Sequence, residues 1–475
     1  MKCIHPFVIL AAILVSLPLA AQAPSPAKQK AAAVADQLAG DLTQLSDQIW
    51  QCAETALKEE RSSALLADYA AKLGFKVERG VAGMSTAFVA TYGEGSPVIG
   101  IIGEFDALPG LSQKVSPAKD PLKAGAPGHG CGHNLFGAAS LGAAAAVKQL
   151  IADGQLKGTV RYYGTPAEEA VGGKVYMVRE GLFRGLDACL AWHPADRTKA
   201  DMHGGQALVD FVIEFRGKTA HAAFDPWNGR SAGDALELCT HGINMLREHV
   251  RPSVRMHYTI QKAGDVPNVV PEYARLWCWV RDWQQAGVES VLQRVRKIAE
   301  GAALMAEVDH SFTIQGGDHE ILINTAGAEL LDANLRWLGP ITYTPAEQEF
   351  ARALQRAAGV EPAGMDGDIH PLQGQEPEGG STDVGDVSYN VPTLHFSVTT
   401  APRAVPWHSW YVVAASGMSI GHKGMMHAAK TMAATMVDLY ENPKALAAVK
   451  ADFADKIKGR TYKSFIPAGP PRPPE

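Results

Sequence analysis

The sequence has 475 residues, of which 46% are hydrophobic and 20% are charged, and its formal net charge is −6. A chain of this length can form two or three domains around a sizeable core. It lacks the basic excess with which nucleic-acid-binding proteins contact phosphates, so no nucleic-acid partner is expected.

The N-terminus has the pattern of a secretory signal. Met1 and Lys2 precede an apolar run, residues 7–20, and Ala21-Gln22-Ala23 supplies the small residues of a cleavage site. The run is shorter than the roughly 20 residues of a membrane span, although an uncleaved anchor is the alternative. We expect residues 1–23 to be removed and the mature protein to be exported, to the periplasm in a Gram-negative cell, with no membrane attachment.

Six cysteines are scattered along the chain, and Cys3 would leave with the signal. The remaining five do not form a disulfide framework, and an odd number in an oxidising compartment indicates that at least one is protected. Binding of Cys131 to a metal would protect it.

Predicted strands and helices alternate in the first part of the chain. After a short linker, two helices are expected within residues 34–73. The elements that follow are strands 85–92 and 98–103, helix 137–152, strand 159–164, a helix ending near residue 178, and strand 188–192. This order predicts an α/β catalytic domain, beginning with residues 24–204, that has a mainly parallel sheet with helices on both faces.

The pattern changes near residue 205 to the order β-α-β-β-α-β, which is typical of a ferredoxin-like α+β unit. We interpret residues 205–317 as an inserted small domain and residues 318–445 as the second part of the catalytic domain. Residues 446–475 form a C-terminal extension, and its Pro-rich tail from residue 467 is expected to be disordered.

Polar side chains suited to catalysis follow the predicted strands. Ligand sites of mainly parallel sheets lie at the carboxyl ends of the strands. The residues that fall there are Asp106, Cys131, His133, Glu168, Glu169 and His193.

The most distinctive segment is residues 127–137, where Cys131 and His133 alternate with glycines. A run of glycine costs backbone entropy and therefore indicates a chain that must bend tightly. Cys and His are preferred ligands of zinc-like metals. A Gly-rich turn with a buried Cys and a surface His is the structural alternative.

Five candidate ligands suit two metal ions better than one tetrahedral ion with an open position. They are Cys131, His133, Glu169, His193 and His408. Adjacent residues of an extended loop point to opposite sides, so one of Glu168 and Glu169 can bind metal while the other acts as a general base. Two solvated surface glutamates are the alternative.

Several motifs together resemble the aminoacylase/carboxypeptidase superfamily of dinuclear metallopeptidases, and more narrowly its amidohydrolase branch. They are Gly-His-Gly-Cys-Gly-His-Asn at 128–134, Thr-Pro-Ala-Glu-Glu at 165–169, Trp-His-Pro at 192–194 and Gly-Lys-Thr-Ala-His-Ala-Ala at 217–223. Residues 225–231 and 381–388 most resemble the B-type subunits of p-aminobenzoyl-glutamate hydrolases. The resemblance runs from about residue 36 to 445.

The resemblance implies a catalytic domain interrupted by a lid and dimerisation domain. It implies that the five candidate ligands bind two divalent metals, that Glu168 is the general base, and that Asp106 orients a ligand. Many relatives carry a metal-binding His where this chain has Glu104. In the amidohydrolase branch the His/Cys loop takes over that ligation. His395, His422 and His427 are rivals of His408 for the last ligand.

Two lid residues are also singled out by the resemblance. It implies that His221 reaches the partner subunit's site and stabilises the oxyanion, and that Asn268 helps to hold the substrate carboxylate. A structural His and a turn-forming Asn are the respective alternatives. Arg230 is a candidate carboxylate partner by charge, as is Arg281, and either can instead be a surface arginine.

These features predict a metal-dependent amidohydrolase that cleaves N-acyl or N-aroyl amino acids, with p-aminobenzoyl-glutamate favoured by the resemblance. A dipeptidase or carboxypeptidase of the same superfamily is the near alternative. A non-catalytic metal or amino-acid binding protein, and a cysteine hydrolase using Cys131, are further alternatives. Zinc, manganese or cobalt suits the ligands. The expected assembly is a homodimer, with a related A-type subunit as the alternative partner.

Overall fold

The structure is a computed structural model, and it describes residues 24–202, 204–372 and 379–473. The predicted signal, residues 1–23, therefore lies outside the described residues. The first part of the chain contains α1 (Pro26–Gln37), α2 (Ala39–Cys52), α3 (Glu60–Lys72), β1 (Lys76–Arg79), β2 (Phe88–Glu94), β3 (Val98–Glu104), α4 (His133–Ala152), β4 (Gly158–Thr165), α5 (Gly173–Arg179), β5 (Ala188–Ala195) and β6 (Lys199–Ala200).

Two helices begin earlier than the sequence predicts. α1 starts at Pro26, within the expected linker, because Ser25 caps it by accepting a hydrogen bond from the Lys28 amide, and proline suits the first helical turn. Residues 34–73 therefore contain the end of α1 as well as α2 and α3. α4 starts at His133 rather than near residue 137, so a predicted ligand is part of its first turn.

The larger sheet has seven strands in the order β1-β2-β4-β3-β5-β11-β6, where β11 is Thr393–Thr399. Its four central strands, β4, β3, β5 and β11, are mutually parallel, whereas the strands added at each edge pair antiparallel to their neighbours. Every residue from Ile99 to Glu104 in β3 is buried. Because successive side chains point to opposite faces, both faces of the sheet are covered. The predicted mainly parallel α/β domain is confirmed.

α4 is the central helix of this domain. It packs on β3, β4 and β5 and against α12 (Ser419–Glu441). The helix is long and apolar enough to match a membrane span in composition, but 78% of its apolar window is buried inside the protein. It is therefore a core element that carries His133 at one end.

The inserted domain contains β7 (Ala207–Arg216), α6 (Ala232–Leu246), β8 (Arg255–Lys262), β9 (Tyr273–Asp282), α7 (Gln285–Ala306) and β10 (Asp309–Asp318). Its antiparallel sheet has the order β10-β7-β9-β8. This topology confirms the predicted ferredoxin-like order, and its own apolar core is separate from that of the catalytic domain. Residue 205, the predicted start, precedes the first residue of β7, and residue 317, the predicted end, lies within β10 next to its last residue.

The chain then returns to the catalytic domain. The remaining helices are α8 (Thr325–Leu338), α9 (Pro345–Ala358), α10 (Val384–Ser388), α11 (Trp410–Ser416), α12, and α13 (Pro443–Ile457). β11 pairs with β5, so strands from before and after the lid complete one sheet. The described residues after α13 form neither helix nor strand, and disorder of the tail stays a prediction.

Candidate metal centre

The glycines of the His/Cys loop allow it to pass close to its neighbours. Gly132 has a φ of 78°, which side chains rarely adopt, and a Cβ there would lie 3.0 Å from Pro194. A Cβ at Gly130 would lie 2.5 Å from the Leu111 side chain. The loop therefore bends tightly at the carboxyl ends of the central strands, as its composition predicts.

The loop brings candidate ligands together in three groups. Within each group, one ligand atom from every residue lies within 4.8 Å of the others. The groups are Cys131 with His133 and His193, Cys131 with Glu169 and His408, and Glu104 with His133 and Glu168. The first two groups share Cys131 and together contain all five predicted ligands.

Hydrogen bonds set the orientation of two of these imidazoles. His193 Nδ1 lies 2.7 Å from the Pro194 carbonyl oxygen, to which it donates, so Nε2 is left without a proton 3.4 Å from Cys131 Sγ. His133 Nδ1 lies 2.9 Å from Asp106 Oδ1. A carboxylate that holds one ring nitrogen fixes the tautomer and leaves the other nitrogen for a metal.

Asp106 holds a second candidate ligand at the same time. Its Oδ2 accepts a hydrogen bond of 2.9 Å from the Glu169 amide. Burial favours a higher pKa for Asp106, but the charge of His133 and its hydrogen bond lower that pKa on balance. These contacts are those expected of a residue that orients ligands.

The electrostatics of two of the three imidazoles suit metal binding. Burial lowers the pKa of His193 to about 4, with the charge of His133 as the next cause, and burial likewise lowers the pKa of His408. Both rings are therefore neutral at physiological pH, as metal ligation requires. Burial, and then the Glu169 carboxylate, raise the pKa of the Cys131 thiol.

The residues present fit a metal centre by a further observation. Glu169 Oε1 is buried and accepts no hydrogen bond among the described residues. Buried polar atoms are rarely left without a partner, so this carboxylate oxygen fits a bound cation. A thiolate, carboxylate and imidazoles are appropriate donors for zinc or a similar divalent ion.

Glu168 and Glu169 fall in different groups, as expected of adjacent side chains. Glu169 lies with Cys131 and His408, its Oε2 3.5 Å from His408 Nε2, whereas Glu168 lies with Glu104 and His133. Burial, and then the neighbouring carboxylates of Glu104 and Glu169, raise the pKa of Glu168 well above its ordinary value. Burial also raises the pKa of Glu169 to about 7.

The turn before these glutamates is anchored by Glu59. Ala167 has a φ of 63°, an uncommon value for a residue other than glycine, and its amide donates a 2.9 Å hydrogen bond to Glu59 Oε1. Glu59 is fully buried. Nothing in the local sequence pattern indicates this partner, because Glu59 lies 108 residues earlier in the chain.

An ion cluster behind the centre was also missed from the sequence. Lys174 Nζ lies 2.7 Å from Glu104 Oε1 and 2.7 Å from Asp383 Oδ1, and all three side chains are buried. Glu104 Oε2 in turn lies 3.1 Å from His133 Nε2. Lys174 therefore supplies the positive charge that compensates two buried carboxylates. The signal for this cluster that the sequence offered was the acidic residue Asp383 in its Gly-Gly-Ser-Thr-Asp loop.

His408 belongs to a candidate metal group, whereas its three rivals have other partners. His395 Nδ1 lies 2.7 Å from Asp201, His422 Nε2 lies 2.8 Å from Asp47, and His427 Nε2 lies 2.9 Å from the Gly339 carbonyl. None of the three belongs to a candidate metal group among the described residues. His408 is placed by its amide, which donates to the Gly130 carbonyl oxygen.

The predicted lid residues lie apart from these groups, all of which consist of catalytic-domain residues. His221 and Asn268 adjoin each other, because the Ala222 amide donates to the Asn268 carbonyl. His221 is exposed, and its Nδ1 accepts hydrogen bonds from the Ala223 and Phe224 amides. The proton is therefore on Nε2.

The two candidate arginines have different surroundings. The Arg230 Nε group donates to Glu307 at 2.7 Å, and Nη1 donates to the Trp227 and Gly229 carbonyls, so the structure does not bring Arg230 to the centre. Arg281 reaches from the lid to the catalytic domain, where it donates to Ser381 Oγ at 3.2 Å.

Glu59 provides a test of how the turn before Glu168 and Glu169 is anchored. Burial, and then the Asp106 charge, raise the pKa of Glu59 from 4.5 to about 8. The folded state therefore binds more protons than the unfolded state between these values, and this contribution to stability is lost as the pH rises through them. We expect the free energy of unfolding of Glu59→Gln, relative to that of wild type, to increase progressively from pH 4.5 to 8, as measured by urea unfolding. A pH-independent stability difference would contradict this assignment.

Comparison with known proteins agrees with this geometry. The sequence profile of peptidase family M20/M25/M40 matches residues 100–434. The chain is 36% identical to the B-type subunit of the p-aminobenzoyl-glutamate hydrolase of Escherichia coli K12, over 90% of this chain and 94% of that protein. It is 28% identical to the Xaa-Arg dipeptidase of Mus musculus, over 91% of this chain and 93% of that protein.

A solved structure has the same fold. The dinuclear metal-binding M20 peptidase of Bacillus subtilis superimposes with a TM-score of 0.59 at 19% identity, covering 86% of this chain and 99% of that chain. The resemblance noted in the motifs is thus confirmed. The chain belongs to peptidase family M20/M25/M40 and is a metal-dependent hydrolase of amide bonds.

Proposed function

We propose that this enzyme cleaves the amide bond of an N-acyl or N-aroyl amino acid with a free carboxylate, and that p-aminobenzoyl-glutamate is the favoured substrate. The observation that carries the proposal is that all five candidate ligands fall in two groups that share Cys131, with Glu168 in a third group that also contains His133. Such a set argues against a non-catalytic binding protein. The similarity to one component of a p-aminobenzoyl-glutamate hydrolase supports this substrate class.

Two divalent ions held by the first two groups would polarise the scissile carbonyl and lower the pKa of the attacking water. We assign the ion sites to zinc or manganese from the donor types. Glu168 takes the proton of the attacking water on a carboxylate oxygen and returns it to the leaving amine.

The lid supplies a further part of the proposed mechanism. His221 of one protomer stabilises the developing oxyanion at its partner's site, and Asn268 holds the substrate carboxylate. The protonated Nε2 of the exposed His221 ring is a suitable donor for this role. Arg281 is better placed than Arg230 to meet a carboxylate near the catalytic domain.

The surface of the lid supports a homodimer. Among the described residues, eleven of the thirteen large apolar side chains that are exposed lie in the lid, including Phe224 and Trp227 with 79% and 72% exposure. Exposed apolar surface concentrated on one domain is typical of an interaction site. A related A-type subunit is the alternative partner, because the Escherichia coli relative is named as one subunit of its enzyme. We also propose export to the periplasm, from the N-terminal pattern.

A cysteine hydrolase is less consistent with the site. Cys131 Sγ lies 3.4 Å from His193 Nε2, as a nucleophile and base would. However, burial raises the thiol pKa and lowers the imidazole pKa, which disfavours the thiolate–imidazolium pair. A dipeptidase activity remains the near alternative, supported by the similarity to an Xaa-Arg dipeptidase.

The base assignment predicts the effect of Glu168→Gln. We expect kcat to fall by about 100-fold to 10,000-fold, the usual contribution of a general base, while the metal content is retained. The matched control is Glu180→Gln, which removes an exposed carboxylate at the end of α5. Turnover of the Glu168 variant within a few-fold of wild type would exclude Glu168 as the base.

The substrate class is tested with the purified mature protein. The panel is p-aminobenzoyl-glutamate, several N-acetyl amino acids and several dipeptides, each assayed as isolated, after chelation, and after addition of zinc or manganese. We expect p-aminobenzoyl-glutamate to give the highest kcat/KM, with activity lost on chelation and restored by metal. Preference for dipeptides would favour the dipeptidase alternative, and chelator-resistant turnover would favour Cys131 as nucleophile.

A further inference from the structure

The junction between the two domains is crossed by a third segment of chain. The lid is connected to the catalytic domain before β7 and after β10. Residues 460–467, which follow α13 and which we call the strap, lie across the same junction. The strap has no helix or strand of its own, so its position depends on individual side-chain and backbone contacts.

Two adjacent strap residues pack into different domains. Phe465 is 8% exposed and belongs to the apolar core of the lid, whereas Ile466 packs against the core of the catalytic domain. The Phe465 ring stacks on His319, with ring centroids 5.1 Å apart and an angle of 25° between the planes. His319 directly follows β10. The strap therefore contacts both domains and the connection between them.

Polar contacts hold the strap to the same connection. Tyr462 donates a 2.8 Å hydrogen bond to Asp386 Oδ1, and Asp386 Oδ2 accepts one of 3.0 Å from the His319 amide. Arg460 Nη1 lies 3.2 Å from Glu320 Oε1. Glu320 Oε2 accepts from the Gln285 amide, at the start of lid helix α7. The strap thus joins a network that extends into the lid.

The end of the strap contacts a helix that leads to the metal centre. The Pro467 carbonyl accepts a 3.3 Å hydrogen bond from Arg179, the last residue of α5. The same helix carries Lys174, which is paired with Glu104. One short segment therefore links the lid core, the interdomain connection and the helix behind the proposed base.

We propose that the strap sets the position of the lid relative to the metal centre, and that Phe465 is its positioning residue. The Phe465 ring is buried in the lid core, and the next residue, Ile466, packs against the core of the catalytic domain. This arrangement restricts rotation about the His319 connection. The consequence for turnover rests on the proposed function, in which the lid supplies His221 and Asn268. The contacts of Phe465 are with the lid core and with His319, and it acts through the lid.

The test compares full-length variants with metal restored. Phe465→Ala is expected to raise KM by about tenfold, within the usual range of coupling between sites, with a smaller fall in kcat and unchanged metal content. Hydrogen exchange at residues 318–323 is expected to accelerate. Lys463→Ala, which changes an exposed strap residue, is the matched control. Phe465→Leu should restore KM and exchange in part.

Tyr462→Phe is a milder second variant, which removes only the hydroxyl that donates to Asp386, and it keeps the test usable if Phe465→Ala does not fold. Accelerated exchange at residues 318–323 in this variant would support the proposal. If Phe465→Ala is folded and has the exchange rate and KM of wild type, the proposal is overturned. If Phe465→Ala is unfolded, the same result in Tyr462→Phe would overturn the proposal. Hydrogen exchange needs no substrate, so failure of the substrate assignment and failure of the strap are distinguishable.

Discussion

Asp106 uses both of its carboxylate oxygens to connect two parts of the chain that the metal centre requires. One oxygen accepts from the His133 ring and the other from the Glu169 amide, 63 residues further along. Because Asp106 is buried, its charge is stable only while these partners are present. The N-terminal turn of α4 and the loop after β4 are consequently held at one edge of the sheet, and Cys131 lies between them.

The charge of the centre imposes a second constraint. Glu104, Glu168 and Glu169 lie close together with little solvent to separate their charges, and Lys174 compensates only part of them. The raised pKa values of Glu168 and Glu169 express this excess of negative charge. Divalent cations would remove it, which explains why a cluster that is electrostatically unfavourable alone is suitable for a metal-dependent enzyme.

The candidate metal groups contain the residues that the sequence singles out, because the signals for these residues are local or topological. Cys131, His133 and the paired glutamates are recognisable from their neighbours, and parallel strands bring their carboxyl ends to one edge. The topology of the lid could also be predicted, because the order of its strands and helices is visible along the chain. His408 could not be separated from three other histidines, because its selection depends on the contact of its backbone with Gly130.

Other parts could not be predicted because their partners are remote in sequence. Lys174 and Asp383 are 209 residues apart, and neither lies in a periodic pattern that indicates an ion pair. Arg230 has the charge of a carboxylate partner, but only the folded lid reveals Glu307 as its neighbour. The composition of the C-terminal extension likewise gives no indication that Phe465 enters the lid core.

Anomalous diffraction from crystals grown with zinc or manganese tests the central claim most directly. Two metal peaks about 3.5–4 Å apart are expected, the spacing usual for two-metal hydrolases. One should lie with Cys131, His133 and His193, and the other with Cys131, Glu169 and His408. A single peak, or peaks that leave Cys131 without a metal contact, would contradict the dinuclear centre.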